Sequence, residues 1–169
     1  MAKKNKVIYK KKGLEQLLKR ITPLGEYEAH VGVLASKGGN VAHRGPAAHP
    51  LTLLELAAIH EFGSPKAGVP ERSFIRRTFN EPEGQKVLKD LYAKLAKKVI
   101  TGRMKAEAAI ELLGMKMQAM VKNRILNGPG IPPPNAASTI EKKGSSRPLV
   151  DTGQLVGAIT YEVRERKKK

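Results

Sequence analysis

The chain has 169 residues, enough for one domain with arms, and a domain of that size buries roughly 70% of the surface its unfolded chain exposes. Aromatics make up 4% of it, with no Trp and no Cys, so its core must come from Leu, Ile, Val, Ala and Met, and disulfides, thiol nucleophiles and thiolate zinc sites are excluded. The net charge of +17 is concentrated at the ends: of 32 Lys and Arg, 11 lie in residues 1–12 and 164–169.

This placement divides the chain into a basic arm over 1–12, a body over 13–163 and a basic tail over 164–169. Like charges in a block repel one another and form solvated tails. Lys3, Lys4, Lys6, Lys10, Lys11, Lys12, Lys167, Lys168 and Lys169 are therefore the candidates for salt-sensitive contact with DNA phosphates or an acidic protein surface. The opening MAKKNKVIYKKKG lacks the apolar run of about 7 to 15 residues that a secretory signal needs. No stretch approaches about 18 apolar residues, so synthesis as a soluble cytoplasmic chain is expected.

Along the body, Leu14, Leu17, Leu18 and Ile21 recur at three and four residues and predict a short helix, stopped by Pro23 and Gly25. Tyr27, Ala29, Val31 and Val33 alternate with Glu28, His30 and Gly32, the pattern of a half-buried strand. A loop follows over 36–50. Thr52 and Glu55 have the spacing of a capping box at the head of LLELAAIHEF, and Gly63 is placed to close that helix. The segment 64–70 reads as an exposed turn, with Ser73 a candidate cap for the helical piece FIRRTF.

Pro82 suits the first turn of a long helix whose buried stripe is Leu88, Leu91, Leu95 and Val99, with Lys86, Lys89, Lys94 and Lys97 facing away. After Gly102 a second long helix is expected from about Lys105 to Leu126, with Ile110, Leu113, Met117, Val121 and Ile125 on one face. The two form either an antiparallel pair or one bent rod. Residues 128–148 are rich in Gly, Pro, Ser and Asn, too long for an ordinary connection, and Ser138 with Glu141 spaces a second capping box inside them. Asp151 and Gln154 mark a helical turn before a closing strand over 158–163, with Val7 to Tyr9 a conceivable extra edge.

Strands at both ends of the body with helices between them give an α+β class: a small antiparallel sheet packed against two long helices, with a long Pro/Gly-rich loop and basic terminal arms.

Two blocks carry a further signal: LLELAAIHEFGSPKAGVPERSFIRRTF over Leu53 to Phe79, and PPPNAASTIEKKGSSRPLVDTGQLVGAITYEV over Pro132 to Val163. Together they resemble the tail-completion and neck proteins of long-tailed bacteriophages, the minor tail protein Z-like, virion morphogenesis family. Several motifs agree in order over about 110 residues. The matching positions are His60, Glu61, Phe62 and Gly63; Pro70, Arg72, Phe74 and Arg76; and Ser138, Thr139, Ile140, Lys143, Gly144, Pro148, Leu149, Asp151, Thr152, Gly153 and Leu155. The resemblance implies packing signatures and no catalytic residues, in a homo-oligomeric ring, usually of six, between the head connector and the tail tube, with DNA passing through it.

What it implies for partners is other copies of the chain and the neighbouring connector, neck and tail-tube or terminator proteins, in a virion assembled in the host cytoplasm, with no membrane. A ring needs head-to-tail interfaces, which long loops supply. Pro132, Pro133, Pro134, Ser138, Thr139, Ile140, Lys143, Gly144 and Pro148 are accordingly the expected subunit or partner contacts. The resemblance leaves a tail-terminator ring open.

No cofactor, metal or catalytic group is expected. His60-Glu61 falls short of a zincin motif, because the position one turn on is Ser64 and not a second histidine. Asp151-Thr152-Gly153 reads as a helix cap and a permissive glycine, and no G-x-S-x-G elbow or phosphate-binding Gly-rich loop occurs. The main rival is a basic, nonspecific DNA-binding accessory protein, favoured by the pI near 10.2 but lacking any helix-turn-helix, zinc-finger or RNA-binding signature. A small hydrolase centred on His60 and Glu61 is the other rival.

Overall fold

The structure, a computed structural model, describes residues 11–41, 51–128 and 130–166. The arm residues Lys3, Lys4, Lys6 and Lys10, the tail residues Lys167, Lys168 and Lys169, and the conceivable edge strand at Val7 to Tyr9 lie outside them. The fold is α+β, with seven α-helices and one two-stranded antiparallel sheet among the described residues. The first helix, α1, spans Lys11–Ile21, so it begins inside the stretch read as an arm.

The sheet pairs β1 (Tyr27–Val33) with β2 (Ile159–Glu165), Tyr27 facing Glu165 and Val33 facing Ile159. Partnered residues share a face. Val31 and Val33 thus stand beside Tyr161 and Ile159, the row that the alternation in both segments predicted to be buried, and Ile159 is fully enclosed.

After β1, α2 (Leu53–Phe62) starts at a true capping box: the Thr52 Oγ1 accepts the Glu55 N–H at 3.2 Å while the Thr52 N–H donates to Glu55 Oε2 at 2.8 Å. Glu55 is thereby held below the ordinary carboxylate value by its bonds to Thr52. Gly63 ends α2 at φ +76°, and a Cβ there would lie 2.9 Å from the Glu71 backbone nitrogen, so no larger residue fits. The turn over 64–70 is a small hairpin closed by Ser64 and Val69.

Helix α3 (Phe74–Asn80) leads into α4 (Pro82–Ile100), which carries Pro82 in its first turn, and then α5 (Ala106–Asn127). These long helices are an antiparallel pair and not a bent rod. Gly102 turns the chain at φ +73°, Leu95 and Val99 pack on Ala106 and Ala109, and at the far end Arg124 grips Glu81 through two hydrogen bonds of 2.5 and 2.8 Å. Burial of apolar stripes on both helices drives this pairing.

Helix α5 is the axis of the molecule. The sheet lies on it, and α3 and α4 pack along its other sides, so the sheet leans chiefly on α5 and not equally on both long helices. Gly114 makes that approach possible, since a Cβ there would stand 2.6 Å from the Tyr161 ring. Gln118 adds a side-chain hydrogen bond to the Ile159 carbonyl at 3.0 Å.

The main core joins Leu53 and Ala57 of α2, Phe74 of α3, Val121 and Ile125 of α5, and Val33 and Ile159 of the sheet. Two residues of the irregular region also enter it: Ile131, 3% exposed, and Leu149, 9% exposed. Residues 130–148 are therefore folded onto the body of their own chain. They contain α6 (Ala137–Lys143), closed by Gly144 at φ +66°, and they lead to α7 (Gln154–Ala158).

Three expected caps are different. Ser138 and Glu141 form no capping box, because α6 starts two residues earlier, with Ala136 at its N-cap. Asp151 does not cap α7, whose N-cap is Gly153 in a left-handed conformation. Ser73 sits at the N-cap of α3 without bonding to that helix through its side chain. In each case a local spacing is present but the chain path puts the side chain elsewhere.

Candidate functional site

The two sequence blocks meet in three dimensions. The first block is held together by Glu61, at the end of α2, a carboxylate only 5% exposed. It is buried because it caps α3 across the hairpin: Oε2 accepts the Ile75 N–H at 2.8 Å, and Oε1 accepts the Arg76 N–H at 3.0 Å and the Ser73 hydroxyl at 2.8 Å. A helix N-terminus leaves such amides without intrahelical partners, and an anion there is favoured by the helix dipole as well. A residue twelve positions earlier thus does the work expected of Ser73.

Arg76 completes the arrangement. Its Nε donates to Glu61 Oε1 at 3.0 Å, one terminal nitrogen reaches the Glu61 carbonyl at 2.8 Å and Glu71 at 3.1 Å, and the guanidinium lies 4.8 Å from the centre of the Phe62 ring. Phe62 is 64% exposed, so this stacking covers one side of an otherwise open aromatic. The backbone N–H of Arg72 binds the His60 carbonyl at 2.7 Å, closing the loop between the two motif segments.

Arg72 points the other way. Only 8% exposed, it donates from Nε to the Pro133 carbonyl at 3.0 Å and from a terminal nitrogen to the Pro134 carbonyl at 3.2 Å. These bonds tie the first block to the second. Further along, Arg147 reaches the Ile125 carbonyl at 3.3 Å and Lys143 reaches the Arg147 carbonyl at 3.1 Å, so the irregular segment is fastened at several points.

Between the blocks lies a cleft of about 410 Å³. His60, Pro70 and Arg72 come to it from the first block, and Pro134, Thr139, Lys143, Leu149, Asp151, Thr152, Gly153 and Leu155 from the second. Leu149 enters with φ +63°, unusual for a bulky residue, and its side chain is buried there. Burial lowers the pKa of Arg72. Burial also lowers that of Lys143, with Arg72 acting in the same direction and Asp151 opposing.

The remaining expected positions divide by exposure. Phe74 and Leu155 are core residues. Pro132, Pro133, Pro134, Ser138 and Ile140 are exposed, Pro148 is half-buried, and Gly144 supplies the turn after α6. Sequence reasoning did not single out Glu71, Ser73 as a donor to Glu61, or Arg147. All three stand inside the recognised blocks, but none is among the motif positions that carry the resemblance.

Among the described residues no group of three His, Asp or Glu is arranged to hold a metal, and no helix is long and apolar enough to cross a membrane. No family model, no curated protein and no solved structure matches this chain.

Proposed function

We propose that this chain is a non-catalytic building block of a bacteriophage particle, assembling as a ring of six copies that completes the tail and joins it to the head connector. The observation that supports this best is the use made of the recognised residues. Glu61, Arg72 and Arg76 spend their hydrogen bonds on the chain's own backbone and on one another, as parts of a scaffold do. Exposed apolar side chains remain for contacts with other subunits, among them Phe62 and Ile140 near the two blocks and Leu112 and Met115 on α5. In this reading the exposed prolines and α6 meet an adjacent copy or a neighbouring neck protein, and the basic arms face DNA or an acidic partner.

Native mass spectrometry of the purified chain, together with protein identification in finished virions, tests the proposal. A six-fold assembly present in the particle is the expected result; a monomer absent from virions overturns it. Cleavage within 128–148 should be suppressed on assembly, and removal of both basic ends should change the salt dependence of ring formation or DNA contact.

A second reading, a basic accessory protein that holds DNA nonspecifically, draws support from α4, where Lys86, Lys89, Lys94, Lys97 and Lys98 are all exposed. Tight, steeply salt-dependent DNA binding by a monomer would favour it. A tail-terminator ring differs from the first reading in position, and the location of the chain within the particle separates the two.

A further inference from the structure

We propose that the cleft between α2, the 64–70 hairpin, α6 and the 151–155 turn is a recognition pocket for a carboxylate side chain carried on a peptide segment of a partner protein. The inference concerns chemistry on this surface and stands independently of the virion reading.

Its basis is a cation without a matching anion. Arg72 is nearly enclosed, yet its two hydrogen bonds run to the neutral carbonyls of Pro133 and Pro134. Of the carboxylates near it in sequence, Glu61 and Glu71 are held by Arg76 and Glu81 by Arg124. Among the described residues no carboxylate forms an ion pair with Arg72. A guanidinium removed from water and bonded only to neutral acceptors is costly, and an incoming anion offsets that cost.

Lys143 is the second cation. It lines the same cleft and commits one N–H to the Arg147 carbonyl, leaving two for a ligand. The charges of Arg72 and Asp151 bear on it with opposite sign, so the pocket holds two cations against one carboxylate. A hollow of about 410 Å³ is the size of an ordinary ligand site, and Leu56, Val69 and Leu155 give it apolar walls suited to neighbouring side chains of a peptide. Neither Phe, Tyr nor Trp lines it, so it lacks the stacking faces on which single-stranded nucleic acid is held.

The test is titration of the full chain with acetyl-Leu-Glu-Leu-amide, followed by calorimetry and by amide shifts in NMR. Acetyl-Leu-Gln-Leu-amide, inorganic phosphate and an oligothymidylate are the comparison ligands. The Glu peptide should saturate, with shifts at Gly153 and Lys143, and bind at least about tenfold tighter than the Gln peptide, as a charge-assisted contact requires. Arg72→Gln removes two bonds that join the blocks, so Lys143→Gln, which loses a single bond to the Arg147 carbonyl, carries the test, with an expected loss of about tenfold in affinity while the helices stay formed by circular dichroism. Asp151→Asn should tighten binding, because it removes the competing carboxylate, and Lys142→Gln should leave it unchanged. Equal binding of the Gln peptide, tighter binding of phosphate or oligothymidylate, no saturation in the millimolar range, or an Asp151→Asn variant with unaltered affinity would each overturn the proposal.

Discussion

Arg76 gives both its backbone N–H and its side-chain Nε to the same oxygen of Glu61, each at 3.0 Å. The pair therefore couples the end of α2 to the first turn of α3 through main chain and side chain at once. Its two members are not equivalent, since Glu61 is buried and Arg76 is half open to solvent.

Replacing Glu61 by Ala should destabilise the fold by about 3 kcal/mol, because a buried donor on Ser73 and partly buried donors on Ile75 and Arg76 lose their acceptor together. Arg76→Ala should cost only about 1 kcal/mol, its ion pair being partly solvated. Urea unfolding of both variants checks the order, and an equal loss in the two would contradict this account.

The glycines at helix contacts should rank by what opposes them. A Cβ on Gly84 would stand 1.9 Å from the Thr78 carbonyl oxygen, which is backbone and cannot rotate away. Gly84→Ala should thus cost about 3 kcal/mol. Gly114→Ala meets the Tyr161 ring instead and should cost about 1 to 2 kcal/mol, since a side chain can give way. Thermal or chemical denaturation orders them.

Acid should weaken the fold through Glu81, Glu55 and Glu162. The carboxylate of Glu81 is held below its ordinary value of 4.5 first by the hydrogen bonds from Arg124. Ser36 does the same for Glu162. A depressed pKa means that the folded state prefers the ionised form, so the stabilisation is complete above 4.5 and is lost as pH falls through the lower folded value. Arg124→Gln should flatten part of this dependence, which urea midpoints measured across that acid range will show.

Arg72→Lys keeps the charge but cannot reach both Pro133 and Pro134 with a planar fork. The segment 128–148 should then be cut several-fold faster by protease in the isolated chain, with the helices of the body still formed. Unchanged cleavage would mean that the buried Ile131 and Leu149 anchor the segment without help.

Local periodicity accounts for how much of this fold is legible in the sequence. The stripe Leu88, Leu91, Leu95, Val99 and the alternation through Val31 and Val33 depend on residues three, four or two positions apart, and such neighbours see one another in any helix or strand. The Thr52–Glu55 box is equally local and appears as expected. Ser138 with Glu141 has the same spacing and forms no box, because spacing alone does not decide where a helix begins.

The candidate site was half visible. His60 to Gly63, Arg72 and Arg76 were marked by their motif, but their partners were not: the acceptors of Arg72 lie 61 and 62 residues away. Residues 128–148 read from composition as an irregular stretch too long for an ordinary connection, yet Ile131 within it and Leu149 just after it enter the core.

The amino-acid order by itself settled which stretches become helix or strand and which side of each is apolar, since those follow from backbone geometry and side-chain spacing along a few residues. The return of α5 along α4, the capping of α3 by Glu61 and the joining of the two blocks through Arg72 were decided only by the tertiary structure. These contacts form between groups that the chain brings together only after its apolar surfaces are buried, and no local pattern encodes the path that brings them there.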